Sequence, residues 1–244
     1  MGKYGLIGKS LGHSFSKEYF STKFEKEERQ DTYENFEIES PDLLKGFLEG
    51  RRLDYKGFNV TVPYKEAVMP FLDRLDNEAK AIGAVNTIKI TATNKLIGYN
   101  TDHSGFALTL SDYLPIKKRT ALILGTGGAS KAIAYVLETM GFDFRFVSRN
   151  GVGDIFRYQD ITRPVMAAHY LIINCTPLGT YPDIHRCPDL PYESITSDHV
   201  LIDLIYNPSQ TEFLKRGFVN GARVCSGHKM LIHQAKKAWA IWQK

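Results

Sequence analysis

Cysteine is scarce in this chain of 244 residues: Cys175, Cys187 and Cys225 are the whole set, and their spacing is not that of metal ligands. An odd number of cysteines so placed favours neither a disulfide framework nor a zinc site. Long apolar runs are lacking too, since none approaches the length of a membrane span and the N-terminal segment has no signal-peptide core. We therefore expect a protein of the reducing cytoplasm that binds no metal and enters no membrane.

The sequence also lacks a large excess of either charge, because it has 31 basic and 27 acidic residues and a formal net charge of +4. The densest basic cluster, at 117–119, is typical of a solvated loop beside a strand rather than of a nucleic-acid surface. Such a balance suits small anionic ligands, and we expect no nucleic-acid partner. The sequence has no signature of oligomeric state, so a monomer and a homodimer both stay open.

What the sequence does contain is alternation. In its first part, short apolar runs alternate with amphipathic stretches at 16–29 and 41–51, which predicts a mostly parallel sheet with helices on its faces. From Thr120 onward the apolar runs are near-continuous, as in parallel strands that are covered on both faces. A predicted helix over 102–113, followed by Pro115, separates the two parts. The sequence therefore predicts an α/β protein with two domains.

The stretch ALILGTGGASKAIAYVLETMG predicts a strand, a glycine turn and a helix. Its glycines Gly125, Gly127 and Gly128 permit a tight turn and let backbone amides approach a pyrophosphate at the helix N-terminus. A plain tight turn is the alternative. The strand before the glycines and the helix after them favour a dinucleotide site.

The next predicted strand ends in Ser148, Arg149 and Asn150, where an NAD site usually presents an acidic residue to the ribose 2′-hydroxyl. No carboxylate stands there. A guanidinium suits a 2′-phosphate because it offers charge and a planar fork of donors. Although Arg149 could be an ordinary surface arginine, its position at the strand end predicts NADP rather than NAD.

The stretch GFNVTVPYK begins as a strand and ends in polar groups. Asn59 and Thr61 share one face of that strand, and Lys65 follows its carboxyl end. Asn86 and Asp102 fall in or just after other strands of the same sheet. Asp102 alone would be an ordinary helix cap, but ligands of open α/β sheets bind at the carboxyl ends of strands. Together these side chains predict a ligand site.

The stretch GKSLGHSFS turns a strand into a helix. We expect Ser16 to be the N-cap, with Phe15 and Phe20 as a hydrophobic staple across it. Ser14 has no part in that cap, and two hydroxyls beside unsatisfied helix amides predict a carboxylate site. His13 is the histidine nearest to this site, and we expect it to make a structural hydrogen bond.

Near the end of the chain, Gln234 falls on the packed side of a predicted helix, beside Met230 and Ala238. An amide in that position needs a hydrogen-bond partner, and a ligand could supply it. A glutamine at the boundary of the packed face would instead turn to water. The residues alone leave both readings open.

Nine stretches carry a resemblance that covers nearly the whole chain: GKSLGHSFS, GFNVTVPYK, GAVNTI, GYNTD, GTGGAS, SRN, NCTPLGT, DLIYNP and GHKMLIHQA. In this order they resemble the shikimate dehydrogenase family. The resemblance implies a substrate domain, a Rossmann-type NADP-binding domain and a last helix that returns to the substrate domain. The implied bounds are 1–101 for the substrate domain, 102–118 for a connecting helix and linker, 119–225 for the NADP-binding domain and 226–244 for the last helix.

The family reduces 3-dehydroshikimate to shikimate with NADPH in the route to aromatic amino acids. The resemblance implies that Lys65 and Asp102 are the catalytic pair. The implied substrate-binding residues are Ser14, Ser16 and Tyr206 at the carboxylate and Thr61, Asn86, Asp102 and Gln234 at the hydroxyls. The implied cofactor-binding residues are Gly125, Thr126, Gly127, Gly128, Ala129, Ser148, Arg149, Asn150, Thr176 and Gly227.

Several positions depart from the family pattern. Ser10 and Lys17 stand where the family often has proline, and Thr180 replaces a methionine. Asn150 replaces the threonine of the family's Asn-Arg-Thr, which removes a hydroxyl near the 2′-phosphate. The stretch 151–164 is too short and too rich in glycine for a full helix, so the cofactor domain is expected to be trimmed.

Two rival functions follow from the same residues. A relative could oxidise quinate or use NAD; Arg149 argues against NAD, and nothing in the sequence excludes quinate. A ligand sensor without catalysis is the rival from another class. Such a protein needs shape but no proton-transfer pair, so the presence of both Lys65 and Asp102 argues against it.

Overall fold

The computed structural model describes residues 1–12 and 14–244, which form two compact units. The first unit combines Met1–Ser104 with His233–Lys244, and the second unit is Gly105–Ile232. The end of the chain therefore belongs to the same unit as its beginning. This confirms the predicted return of the last helix.

The elements below are those of the described residues. The strands are β1 (Lys3–Gly8), β2 (Thr32–Glu37), β3 (Gly57–Val60), β4 (Arg74–Leu75), β5 (Thr87–Ile90), β6 (Leu96–Tyr99), β7 (Thr120–Leu124), β8 (Asp143–Ser148), β9 (Phe156–Arg157), β10 (Leu171–Asn174), β11 (Val200–Asp203) and β12 (Arg223–Cys225). The helices are α1 (Phe15–Lys26), α2 (Leu43–Glu49), α3 (Tyr64–Ala67), α4 (Asn77–Ile82), α5 (Asp102–Ser111), α6 (Gly128–Thr139), α7 (Arg163–Ala168), α8 (Glu212–Val219) and α9 (His228–Trp242).

The first unit contains one sheet with the strand order β2-β1-β3-β5-β6-β4. β1 pairs in parallel with β2 and with β3, and β4 pairs in parallel with β6. β5 runs antiparallel to both of its neighbours. The prediction of a mostly parallel sheet is confirmed, with one reversed strand. The sequence carries no signal for β4, because two residues are too few to show a period.

Alternate residues of β1 enter two different cores, as a strand with a side-chain period of two requires. Ile7 packs in a cluster with Leu48 of α2. Leu6 packs in another cluster with Phe20 of α1 and Trp242 of α9. Helices thus cover both faces of the sheet, and α9 contributes to the core of the first unit.

The second unit contains a sheet of six parallel strands in the order β12-β11-β10-β7-β8-β9. β10 and β11 are buried along their whole length, which explains their continuous apolar sequences. The strand order reverses at β7, as in doubly wound sheets, and such sheets bind ligands at the carboxyl ends of strands beside the reversal. The predicted Rossmann-type fold is confirmed.

The connection from β8 to β9 is a loop, residues 149–155, all of which the structure describes without an α-helix. Gly151 and Gly153 adopt φ angles of 49° and 61° there, a left-handed conformation that interrupts a helix. The next α-helix, α7, begins only at Arg163, after a single 3-10 turn at Tyr158–Asp160. The expectation that 151–164 forms no full helix is therefore confirmed.

Candidate active site

Lys65 lies in a short helix whose place is set by buried neighbours. β3 ends before Thr61, whose amide still donates to the Ile7 carbonyl at 2.9 Å. Tyr64, the first residue of α3, is fully buried, and its phenol donates to the Ile38 carbonyl. The first turn of α3, rather than the strand itself, therefore positions Lys65.

Lys65 and Asp102 form a largely buried ion pair. The Lys65 Nζ donates to Asp102 Oδ2 at 2.7 Å, and the two side chains are 13% and 7% exposed. The other carboxylate oxygen, Oδ1, accepts from Asn86 Nδ2 at 2.8 Å. An ammonium has three N–H donors, so a ligand can accept from those that Asp102 does not use. Burial lowers the pKa of the neighbouring His103, so its imidazole adds no second cation at neutral pH.

Asn86 reaches this pair because β5 is reversed. It lies directly before β5, and the amino end of an antiparallel strand meets the carboxyl ends of its neighbours β3 and β6. Its Oδ1 accepts from the Thr101 amide at 2.7 Å, and its Nδ2 lies 3.0 Å from Gln234 Oε1. Asn86 therefore joins the hairpin of β5 and β6 to the last helix.

A buried chain of hydrogen bonds supports Asn86 from below. The Tyr33 phenol donates to Asn59 Oδ1 at 2.8 Å, and Asn59 Nδ2 donates to Thr87 Oγ1 at 3.1 Å. The Thr87 hydroxyl in turn donates to Asn86 Oδ1 at 3.2 Å. At the far end, burial raises the pKa of the Tyr33 phenol, and the nearby Ser16 hydroxyl acts in the opposite direction. Asn59 is thus part of the supporting network.

The sequence analysis missed Tyr33, Thr87 and Thr101 as members of this network. The strand TYENFE contained a usable signal for one of them, because an aromatic residue in a strand covered on both faces is expected to be buried, and Tyr33 is buried. A buried phenol needs a hydrogen-bond partner. Nothing comparable marks the two threonines: Thr87 lies in β5, where β-branched residues are common, and Thr101 lies between β6 and α5.

The serine that caps α1 is Ser14, so the predicted N-cap at Ser16 is wrong. The Ser14 hydroxyl accepts from the Lys17 amide at 3.2 Å, and α1 begins at Phe15. An N-cap side chain accepts from an amide two or three residues further on, and both serines meet that rule in the sequence. The helix simply begins two residues earlier than the capping pattern around Ser16 suggests.

The predicted staple between Phe15 and Phe20 is wrong for the same reason, because Phe15 is the first helical residue. Its ring stacks on Tyr19, with centroids 5.8 Å apart. The expected structural hydrogen bond of His13 lies outside the described residues. Ser14 and Ser16 are both half-buried at the start of α1, and the Ser16 hydroxyl lies near the Tyr33 phenol of β2.

The turn between β7 and α6 fits a dinucleotide phosphate. Gly127 is the N-cap of α6 and has no side chain to cap the first amides of the helix, while the Ser130 hydroxyl donates to the Gly127 carbonyl at 2.6 Å. A Cβ built on Gly127 would meet nothing within 4 Å, so open space lies over the first-turn amides. Gly125 has a φ angle of 105°, which makes the tight turn possible. Exposed amides at a helix N-terminus bind anions, so this turn can hold a pyrophosphate.

Arg149 and Asn150 follow β8 and are exposed. The Ser148 hydroxyl accepts from the Gly151 amide at 3.1 Å and so shapes the turn that presents Arg149. Burial raises the pKa of the Tyr158 phenol to about 12, and the nearby positive charge of Arg149 acts in the opposite direction. The structure therefore places the guanidinium at the carboxyl end of the strand beside the glycine turn.

The remaining predicted residues of the second unit follow other strands. Thr176, after β10, donates from its amide and its hydroxyl to Asn174 Oδ1, at 3.0 and 2.6 Å. A Cβ on Gly227 would lie 2.2 Å from the Leu204 carbonyl oxygen, so that position requires glycine for packing. Tyr206 is half-buried after β11. Their contacts with substrate or cofactor stay predictions.

Over residues 1–12 and 14–244, no group of three or more His, Cys, Asp or Glu side chains could hold a metal ion. Within the same ranges, no helix has both the length and the apolar character that a bilayer crossing needs. The structure describes all three cysteines, and no disulfide bond joins any two of them.

A chain that combines one unit with a doubly wound sheet and an open glycine turn and another α/β unit with a buried lysine–aspartate pair is typical of two-domain dehydrogenases. A family model described as the shikimate dehydrogenase substrate binding domain matches residues 6–88. The shikimate dehydrogenase (NADP(+)) of Clostridium beijerinckii is 41% identical over 252 residues, which cover 99% of this chain and 92% of the relative. The chain belongs to the shikimate dehydrogenase family.

Solved structures share the fold over the full length. Shikimate dehydrogenase 1 from Peptoclostridium difficile is 39% identical with a TM-score of 0.87, and the match covers 100% of this chain and 92% of that one. A quinate dehydrogenase from Corynebacterium glutamicum in complex with NAD is 30% identical, also with a TM-score of 0.87, over 99% and 93% of the two chains.

Proposed function

We propose that this chain reversibly reduces 3-dehydroshikimate to shikimate with NADPH, a step in the biosynthesis of aromatic amino acids. The relative from Clostridium beijerinckii bears the name of this NADP-dependent activity. The observation that carries the proposal is the buried pair of Lys65 and Asp102, with Nζ and Oδ2 2.7 Å apart. A sensor without catalysis has no use for such a pair and is not favoured.

The pair is arranged for carbonyl chemistry. Bound NADPH supplies a hydride to the ketone carbon. Negative charge then grows on the ketone oxygen, and a cationic proton donor directed at that oxygen lowers the barrier. Lys65 fills this role with the N–H donors that Asp102 leaves unused, while Asp102 orients the ammonium and accepts from the substrate hydroxyl. Asn86 holds the Asp102 carboxylate in place before the substrate arrives.

Asn86, Gln234 and Thr61 are proposed to bind the substrate hydroxyls. The Asn86 Nδ2 lies within 3.0 Å of acceptors on Thr101, Asp102 and Gln234. An amide nitrogen has two hydrogens, so it cannot serve three acceptors at once. Gln234 is half-buried, whereas the other two are buried. Its amide can therefore turn to a substrate hydroxyl while Asn86 stays satisfied.

Ser14 and Ser16 are proposed to hold the substrate carboxylate, together with Tyr206. Ser14→Ala should raise the Michaelis constant for shikimate and also destabilise the fold by about 1 kcal/mol, because its hydroxyl caps α1. Ser16→Ala should raise the Michaelis constant without removing the cap. Ser21→Ala, at an exposed position of α1, should change neither quantity. Steady-state kinetics and thermal melts separate these effects.

If Ser14→Ala melts earlier than the parent but keeps the same Michaelis constant, its hydroxyl is only a cap and the carboxylate assignment fails. If Ser16→Ala has the larger effect on stability, the helix start described above is contradicted. Only Ser14→Ala is therefore expected to destabilise the fold, whereas both substitutions are expected to raise the Michaelis constant.

The cofactor is NADP, and Arg149 is proposed to bind its 2′-phosphate. Arg149→Ala should weaken NADP binding roughly tenfold to a hundredfold, the range expected for one charge-assisted contact, and change NAD binding little. Arg145→Ala is a matched control, because Arg145 is exposed on the same strand, β8, and away from its carboxyl end. Titration of each variant with both cofactors makes the comparison. Equal losses for NADP and NAD would remove Arg149 from the 2′-phosphate site.

The activity is tested by following the absorbance of reduced nicotinamide with shikimate or quinate and either cofactor. We expect turnover with shikimate and NADP to exceed the other three combinations. Quinate is the second candidate substrate, because a quinate dehydrogenase bound to NAD has the same fold at 30% identity. Faster turnover with quinate, or no preference for NADP, would overturn the proposed substrate or cofactor.

We further propose that the protein works in the cytoplasm on a small-molecule substrate, without a nucleic-acid partner, as a monomer or homodimer. Three cysteines without a disulfide bond fit a reducing compartment. A formal net charge of +4 fits anionic small molecules and supplies no extended basic surface. Size-exclusion chromatography with light scattering would give the oligomeric state.

A further inference from the structure

Asp203 ends β11 as a fully buried carboxylate that the proposed chemistry does not use. Oδ1 accepts from Asn174 Nδ2 and from the Ile205 amide, both at 3.0 Å. Oδ2 accepts from the Thr211 hydroxyl at 2.6 Å. Its carboxylate therefore ties together the ends of β10 and β11 and the start of α8.

This carboxylate decides which way the Asn174 amide faces. A carboxylate only accepts, so the Asn174 NH₂ group must point to Asp203 and its carbonyl oxygen must point away. That oxygen accepts from the amide and the hydroxyl of Thr176. Asp203 thus determines the geometry of the loop after β10 through one relayed amide. It also holds the chain directly before Tyr206 through the Ile205 amide.

Folding stability does not explain an ionised carboxylate here. Burial raises the pKa of Asp203 to about 6, above the value of about 3.9 in an unfolded chain. The stability that this group contributes is fully present below about pH 4 and is lost as the pH rises through about 6. At neutral pH its ionisation therefore opposes folding, so its three hydrogen bonds call for another explanation.

The position of the loops after β10 and β11 explains why a buried carboxylate is present. β10 and β11 lie on one side of β7, and β8, which carries Arg149, lies on the other. A dinucleotide crosses the carboxyl edge of a doubly wound sheet at the reversal point. With the 2′-phosphate at Arg149, the nicotinamide half must lie over the β10 and β11 side, where Thr176 and Tyr206 are.

We propose that Asp203 is a positioning residue for the nicotinamide half of the cofactor, acting through Asn174 on Thr176 and directly on the loop before Tyr206. This inference rests on the proposed NADP-dependent function. It assigns to Asp203 no contact with substrate or cofactor.

Asp203→Asn keeps the shape of the side chain but replaces the carboxylate, which can only accept, with an amide that can also donate. The orientation of the Asn174 amide is then no longer fixed. An amide has one acceptor and one donor group, so at least one of the three former donors loses its acceptor. We expect the dissociation constant for NADP to rise roughly tenfold. Binding of adenosine 2′,5′-bisphosphate, the half without nicotinamide, should stay within about twofold of the parent. The melting temperature at neutral pH should be unchanged or higher, because a buried charge is gone.

His199→Asn is the matched control. His199 is buried just before the other end of β11, where Nε2 contacts the Met166 carbonyl at 3.1 Å and Nδ1 accepts from the Thr196 amide at 3.0 Å. Its substitution should lower the melting temperature and leave the ratio of the two dissociation constants unchanged. A merely structural Asp203 would behave in the same way, with a lower melting temperature and no selective loss of NADP.

A second variant tests the relay itself. Thr176→Val keeps the volume of the side chain and removes the hydroxyl that Asn174 accepts from, so it should also weaken NADP selectively. Calorimetry on the two single variants and the double variant should show losses that fall well short of additive, as for residues of one network. Additive losses, or equal weakening of both ligands, would overturn the inference. Failure of the parent to bind NADP would instead refute the proposed function, because the hydrogen bonds from Asp203 through Asn174 to Thr176 are intact in the parent.

Discussion

Lys65→Met should reduce kcat on the order of a hundredfold or more while the protein stays folded and binds NADP. Methionine keeps most of the aliphatic stem but has neither the charge nor the proton donor. The charge that develops on the ketone oxygen then loses its partner, and removal of one such donor typically costs this much. Because the side chain is largely buried and paired with Asp102, the loss cannot be replaced by a neighbouring solvated lysine.

Asp102→Asn should also lower kcat, and the double variant should be little worse than the worse single one. Strong non-additivity is expected when two groups act on one oxygen as a unit. Lys95→Met is the control, because Lys95 belongs to the same unit and pairs with Asp73 at 3.3 Å, but is exposed. Rapid-mixing or steady-state assays give kcat, and a melt with NADP titration verifies folding and binding. A Lys65→Met enzyme within a fewfold of the parent would refute the proposed mechanism.

Much of the fold could be predicted because its signals are local. The continuous apolar runs of β10 and β11 indicate strands buried on both faces, and they are so. Gly125 and Gly127 predict a tight turn between a strand and a helix, and α6 begins directly after Gly127. Two glycines with left-handed φ angles, Gly151 and Gly153, likewise explain why residues 149–155 form a loop and not an α-helix.

The parts that could not be predicted depend on contacts distant in sequence. Whether β5 runs parallel or antiparallel leaves no trace in its four residues, yet that direction brings Asn86 to Asp102. The partner of Gln234 lies 148 residues away. Ser14 and Ser16 differ by two positions and both satisfy the rule for a helix cap, so only the observed start of α1 distinguishes them.

The hydrogen-bond network also explains why the site is so polar within a core. Asn59, Asn86, Thr87 and Thr101 are all buried, and each has a partner among the others or on Tyr33. Buried polar groups that are fully paired hold a single arrangement and resist loosening. The network thereby presents Lys65 and Asp102 from a rigid support, which transition-state stabilisation requires.

The last helix is the other support of the site, and Trp242 anchors it. Its ring stacks on Tyr4 with centroids 4.7 Å apart, and its Nε1 donates to the Ile88 carbonyl at 2.9 Å. The indole reaches that carbonyl because Gly57 has no side chain, since a Cβ there would lie 2.2 Å from Nε1. Gln234, two turns earlier on α9, meets Asn86 as a consequence of this anchoring.

Trp242→Ala should destabilise the protein by about 3–5 kcal/mol, the range for removing a large buried aromatic side chain. It should also raise the Michaelis constant for shikimate, because Gln234 loses its fixed position. Trp242→Phe keeps an aromatic ring and loses the indole donor, so it should cost much less, on the order of 1 kcal/mol. Gly57→Ala should approach the effect of Trp242→Ala, because its methyl group displaces the indole. Denaturant unfolding with parallel kinetics measures both effects, and a Trp242→Ala variant as stable as the parent would show that α9 is held elsewhere.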